Sequence, residues 1–214
     1  MIKFLFLTFT IFINIGFSNE FPPQWWAPVS RESAPSWEVL PQDAEAGEVI
    51  LSKRTELGVF SNLAKSSFIF EGKHYNSIEG FWQMMKFPEN DHDERSRFPY
   101  NYSRNYVSAM WGFDAKNAGN HANKIMGEFD IEWVSYNGIR FNYKDFDEGS
   151  DFHYQLIYQA IRAKILQNYR LKELLGKTKN LILRPDHYQG VKPESYYYHK
   201  ILMKIRSELF NVTP

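Results

Sequence analysis

Residues 77–87 read Ser-Ile-Glu-Gly-Phe-Trp-Gln-Met-Met-Lys-Phe. Wound as a helix at about 100° per residue, the segment stacks Glu79, Gln83 and Lys86 at i, i+4 and i+7. Phe81, Met84 and Met85 fall on the opposite side, with Ile78 at their edge. An acid, an amide and an ammonium group therefore share one face of a segment otherwise heavy in aromatics and methionine. Ser77 is the expected N-cap, which puts Glu79 in the first turn, where the helix dipole favours negative charge. Gly80 costs roughly 1 kcal/mol against alanine inside a helix. The usual reason for such a residue is close approach of a ligand or of another backbone. The plainer reading is a surface helix with an ordinary solvated polar face.

The rest of the chain bounds what this helix belongs to. Its 214 residues hold 25 basic and 25 acidic side chains and no cysteine, a length that suits one domain with a sizeable core. An aromatic content of 17% argues against disorder over most of the chain. Balanced charge gives no general attraction for nucleic acid or for an anionic membrane. Without cysteine there are no disulfides, so packing alone must hold the fold.

Residues 1–18 combine one early lysine, Lys3, with an apolar run and with Gly16 and Ser18 at −3 and −1 of a cleavage point. That is the pattern of a signal peptide, and an exported protein, periplasmic or secreted, with no membrane span after cleavage is expected from it. An uncleaved anchor is the alternative. Residues 19–47 carry five of the ten prolines and Trp25, Trp26 and Trp37. Proline at that density blocks regular structure, so an extended arm is expected, its tryptophans packed onto the domain or, alternatively, kept for a partner.

The domain proper is placed at 48–214. Strands are expected at 49–51 and 67–70, the second turning through Glu71-Gly72-Lys73 toward Ser77. Tyr136-Asn137-Gly138 marks another hairpin. After Pro88, which ends the first helix, 90–97 reads as a charged loop. A long helix follows Ser150 with Leu156, Ile157, Ala160, Ile161 and Ile165 as its buried stripe. A shorter helix ends at Gly176, a strand spans 180–183, and a last helix runs from about 194 to 210. The expected fold class is α+β: a mostly helical single domain with a small antiparallel sheet.

Six histidines are scattered without metal-ligand spacing, so no metal site is expected, and no glycine-rich phosphate loop or serine elbow is present. What remains is carboxylates in aromatic company. Asp186 follows the 180–183 strand through Arg184-Pro185, at a strand-to-loop edge where functional side chains gather, although such a loop also reads as a turn whose Asp caps its own backbone.

Two blocks, Gly-Val-Phe-Ser-Asn-Leu at 58–63 and Phe-Glu-Gly-Lys-His-Tyr-Asn-Ser-Ile-Glu-Gly-Phe-Trp-Gln-Met-Met-Lys-Phe at 70–87, resemble the YbiA/NADAR family. Its pattern pairs G-x-F-S-N-F with a G-K…E-x-x-x-Q-x-x-K-F element, onto which Ser61, Asn62, Glu79, Gln83 and Lys86 fall in register. Weaker matches follow in order at Ala115–Gly119, at Ala160–Lys164 and at Ile201–Arg206, so the resemblance spans about residues 55 to 209. It implies a YbiA-like fold and cleavage of an N-glycosidic bond to ribose, in ribosylamino intermediates or ADP-ribose derivatives, with no metal or cofactor. Glu79 and Asp186 take the places of the catalytic acids. Glu79 is assigned to water activation or cation stabilisation and Asp186 to a paired acid/base or ribose-orienting role, their order left open. Lys86, Asn62 and Arg206 are candidates for phosphate or ribose hydroxyls. Ser61 and Gln83 complete the expected binding set, together with Trp82, which is placed to stack a base or else to pack in the core.

The chain departs from the family where Gln189 stands for a tryptophan, Tyr196 for an asparagine and His199 for a glycine. Two other classes therefore stand beside the hydrolase: a module that binds an ADP-ribose-like or nucleotide ligand without cleaving it, and an exported interaction protein that uses the tryptophan-rich arm.

Overall fold

A computed structural model describes residues 21–144 and 148–212; the expected signal sequence at 1–18 lies outside them. The segment at 77–87 forms α1 (Ile78–Gln83), continued by a 3-10 turn over Met84–Lys86. As expected, Ser77 caps it: its Oγ accepts the N–H of Gly80 at 2.8 Å and donates to the Met110 carbonyl at 2.8 Å. The missing side chain of Gly80 is required by a neighbouring backbone. A Cβ there would lie 2.5 Å from the Met110 carbonyl oxygen and 3.0 Å from that of Val107. Those carbonyls close α2 (Arg104–Ser108), so α1 is seated against the C-terminal end of α2.

The apolar face of α1 enters an aromatic cluster. Phe81 meets Tyr75 edge-on at 4.9 Å, Phe70 at 5.5 Å and Tyr136 at 5.6 Å between ring centres. These partners come from two hairpins, β2–β3 (Phe68–Phe70, Lys73–Tyr75) and β4–β5 (Val134–Tyr136, Ile139–Phe141). Each turns on two residues of positive φ, Glu71 and Gly72 in the first, Asn137 and Gly138 in the second. The Glu71 carboxylate accepts from Tyr136 Oη and Asn137 Nδ2, tying the hairpins together. The charged stretch at 90–97 is more than a solvated loop. Arg95 is fully buried, paired with Asp93 at 2.7 Å and donating to the Met85 carbonyl at 2.9 Å. Arg104 donates to the carbonyls of Met84 and Phe87, so two guanidinium groups satisfy the orphan carbonyls where α1 ends.

Helices α3 (Gly112–Glu128) and α4 (Glu148–Gln167) flank α1, and α5 (Tyr169–Lys177) and α6 (Tyr198–Phe210) follow. The stripe expected on α4 is buried from Leu156 to Ile165. Helix α6 starts later than expected: Glu194–Tyr196 is a separate 3-10 turn, and Tyr197, at ψ 66°, breaks the helical path. The α+β architecture with small antiparallel sheets holds, with one addition. Strand β1 (Glu48–Ile50) pairs with β6 (Ile182–Arg184) in parallel, so the described strands form three separate two-stranded ladders. This parallel pair brings the loop after β6 beside the turn after β1. Among the described residues no helix is long and apolar enough to cross a membrane.

The arm packs onto this frame. Trp25 is fully buried and donates to Glu56 at 2.8 Å, and Trp26 donates to the Glu48 carbonyl at 2.9 Å. Trp37 alone of the three stands out from the surface.

Two glycine substitutions separate steric need from habit. Gly80→Ala forces a Cβ into backbone and is expected to lower stability by about 1–3 kcal/mol. Gly127→Ala on α3 meets nothing within 4 Å and is expected to raise it by roughly 0.5–1 kcal/mol. Urea unfolding midpoints read both.

Candidate functional site

The polar face of α1 opens into a cavity of about 530 Å³, and Glu79, Trp82 and Gln83 line it from that helix. Ser61 and Asn62 line it from the turn that follows the 3-10 segment Glu56–Phe60. Asp186, His187 and Gln189 reach it from the loop after β6. The two acids, far apart in sequence, thus share one hollow.

Glu79 is held from both sides. Its N–H donates to the Asn62 carbonyl at 2.9 Å, and its Oε1 accepts from Gln83 Nε2 at 2.8 Å. Gln83 in turn lies where α3 has no side chain: a Cβ on Gly119 would sit 1.7 Å from Gln83 Oε1. Burial pushes the Glu79 carboxyl above its ordinary pKa, and the hydrogen bond from Gln83 and the charges of Lys86 and Lys116 offset this only in part. Lys86 is held down to about 8 by its own burial, against the pull of Glu79.

Asp186 has the opposite setting. It is 2% exposed, with Lys53 Nζ 2.7 Å from Oδ2 and His187 Nδ1 3.0 Å from Oδ1. Burial alone would raise its pKa, but the bonds from His187 and Lys53 outweigh it and hold the carboxyl below its usual value. Lys53 is brought in by the turn after β1, against which Gly58 presses so closely that a Cβ would lie 2.6 Å from Lys53 Cα. On the other side, the Asp186 carbonyl accepts from Val39 of the arm at 3.0 Å.

The expected binding residues divide. Ser61, Asn62, Trp82 and Gln83 line the cavity with the two acids. Lys86 does not line it: it is buried, 5.4 Å over the Trp82 ring and 5.6 Å over that of Tyr143, and it acts on Glu79 through charge. Arg206 is elsewhere altogether. Fully buried on α6, it donates to Thr178 Oγ1 and the Leu181 carbonyl, both at 2.8 Å, and holds the turn between α5 and β6. Neither Lys86 nor Arg206 lines the cavity; Lys53 and Lys116 do. Trp82 is a wall more than a free platform, because His153 covers one face at 4.5 Å and Tyr143 meets its edge at 5.2 Å.

Several lining residues escaped the sequence reading. His153 bonds Ser195 Oγ at 3.0 Å, and burial holds its pKa down to about 3, so it is a neutral wall residue. It lies one turn before Ile157 on the buried stripe of α4, a phase that marks it as inward. Lys53, a lone lysine in a turn, carried no such signal. Of the departures, Gln189 and Tyr196 both line the cavity, whereas His199 is buried outside its lining. Burial, then the charges of Tyr143 and Glu79, keeps the Tyr196 phenol protonated. Trp37, Phe113 and Tyr188 frame the mouth as exposed rings. Among the described residues no group of three or more His, Cys, Asp or Glu is arranged to hold a metal ion.

The depressed Asp186 pKa fixes a pH dependence. Its ionised form is favoured by folding, so that contribution is full above the unfolded carboxyl pKa and is lost as pH falls through the folded one. Asp186→Asn is expected to cost about 1–2 kcal/mol at pH 7, discounted because Lys53 is partly exposed. The deficit should shrink below about pH 4. Chemical denaturation of both proteins from pH 7 down to pH 3 measures it.

No protein-family model matches the chain, and no curated protein does. Among solved structures it is similar to the NMR structure of the E. coli protein YbiA, at 21% identity over 74% of this chain and 81% of that one, with a TM-score of 0.47.

Proposed function

We propose that this chain is an N-glycosidase that hydrolyses a ribosyl–nitrogen bond in a ribosylamino or ADP-ribose-type substrate, using carboxyl groups and no metal. What supports the reading is one observation: Glu79 and Asp186 line the same cavity in environments that push their pKa values apart. Two carboxyls separated in this way are suited to acid and charge-stabilising roles in one reaction.

Breaking the bond builds positive charge at C1′ and negative charge on the leaving nitrogen. Glu79, whose site favours the protonated form, is suited to give the leaving nitrogen a proton. Asp186, held ionised between Lys53 and His187, is suited to supply negative charge that stabilises the cation through its surroundings. This partition gives Glu79 the acid's part, in place of the water activation or cation stabilisation first assigned to it, and passes cation stabilisation to Asp186. The cavity is of ordinary ligand size. Asn62 Oδ1 is buried without a partner on a residue that lines the cavity, an acceptor suited to a sugar hydroxyl.

The Lys53 ion pair, which spends part of the Asp186 charge, favours a second reading, in which the site holds the same ligand without cleaving it. Incubation with an ADP-ribosylated protein, free ADP-ribose and a ribosylaminopyrimidine phosphate separates the two, with released ribose products read by mass spectrometry. Cleavage by the wild type, and loss of at least about 100-fold in a folded Glu79→Gln variant, is the expected result. Calorimetric binding with no product from any of them supports the binding module, and full activity in folded Glu79→Gln removes Glu79 from the chemistry.

A further inference from the structure

The loop that departs from the family pattern, Asp186-His187-Tyr188-Gln189, carries a hydrogen-bonded array with a fixed direction. It starts at the Tyr196 carbonyl, which can only accept. Gln189 Nε2 lies 3.4 Å from that oxygen, so the nitrogen end of the amide is set there. The same nitrogen lies 3.3 Å from His187 Nε2, which must then present its lone pair. The ring proton is left on Nδ1, aimed at Asp186 Oδ1 3.0 Å away. Lys53 occupies the other oxygen, so both Asp186 oxygens are engaged by side chains instead of capping their own turn.

We propose that His187 is the base that takes a proton from the attacking water, with Asp186 orienting its ring. The proposal rests on the glycosidase reading. A carboxylate behind an imidazole fixes the tautomer and stabilises the imidazolium that forms when the other nitrogen takes a proton. His187 lines the cavity and its side chain is 39% exposed, so water reaches it. The Gln189 contact is longer than an ordinary N–H bond, and a water donor displaces it. The far end of that amide, Gln189 Oε1, is buried without a partner on a residue that lines the same cavity. An imidazole nitrogen and an amide oxygen are the two acceptors that one water molecule, with two hydrogens, requires.

The step balances. Water oxygen bonds to C1′ and gives one proton to His187 Nε2. The C1′–N electron pair leaves with the nitrogen, which takes the Glu79 proton. The imidazolium proton then returns to the Glu79 carboxylate through solvent, so one water is consumed per bond cleaved.

The test runs wild type, His187→Gln and His187→Ala on the three probes named above, with circular dichroism as the check on folding. On a probe the wild type cleaves, His187→Gln should lose about 10²–10⁴-fold in kcat with KM little changed, and added imidazole should restore part of the rate to His187→Ala. An active wild type whose His187→Gln variant keeps its kcat overturns the base alone, and so does a loss that imidazole cannot rescue. A wild type inert on every probe ends the glycosidase reading and this proposal with it. A ring proton found on His187 Nε2 in long-range proton–nitrogen NMR of the wild type overturns the proposal whatever the variants do.

Discussion

The structure turns on a contact with no side chain between its partners. Helix α1 approaches the last carbonyls of α2 so closely at Gly80 that nothing larger than hydrogen fits. That contact fixes the rotation of a helix less than two turns long, and rotation is what matters. One face then delivers Phe81 into the aromatic cluster, and the opposite face delivers Glu79 and Gln83 into the cavity. The Ser77 cap and the buried Arg95 and Arg104 hold its two ends. A helix this short has little stability of its own, so its neighbours must supply the precision.

The second acid is placed by a different logic. Asp186 follows a strand whose ladder partner among the described residues is β1, and its counter-ion Lys53 comes from the turn that leaves β1. Parallel pairing thus brings an acid and a lysine into contact across more than a hundred residues of chain. The arm adds a backbone bond from Val39 to the same residue, so residues before the first strand help to build the site. The result is two carboxyls facing one hollow, one favoured as the acid and one as the anion. Separated environments of this kind let like groups do unlike work near neutral pH.

Much of this was legible in the chain. The polar stripe of α1, its serine cap, the two turns of positive φ and the buried stripe of α4 are local patterns, and local patterns survive folding. The requirement for Gly80 was legible too, though not which neighbour imposed it. What could not be read were pairings set by tertiary position. Arg95 sits in a run of charges that looks solvated, yet it is consumed inside by Asp93 and the end of α1. Arg206 has the sequence position of a ligand group but serves the turn at Thr178. Lys86 shares the Glu79 stripe by spacing, but its ammonium group is buried over the Trp82 and Tyr143 rings and does not line the cavity. Spacing gives the face of a helix; it does not give depth, and depth decides whether a charge meets a ligand or a backbone carbonyl.

The central claim is electrostatic, and carbon-detected NMR titration of side-chain carboxyls in the wild-type protein tests it without any substrate. The Glu79 carboxyl is expected to titrate above the ordinary glutamate value of about 4.3, and that of Asp186 below the ordinary aspartate value of about 3.9. Finding both at ordinary values, or Glu79 giving up its proton before Asp186, would contradict the account.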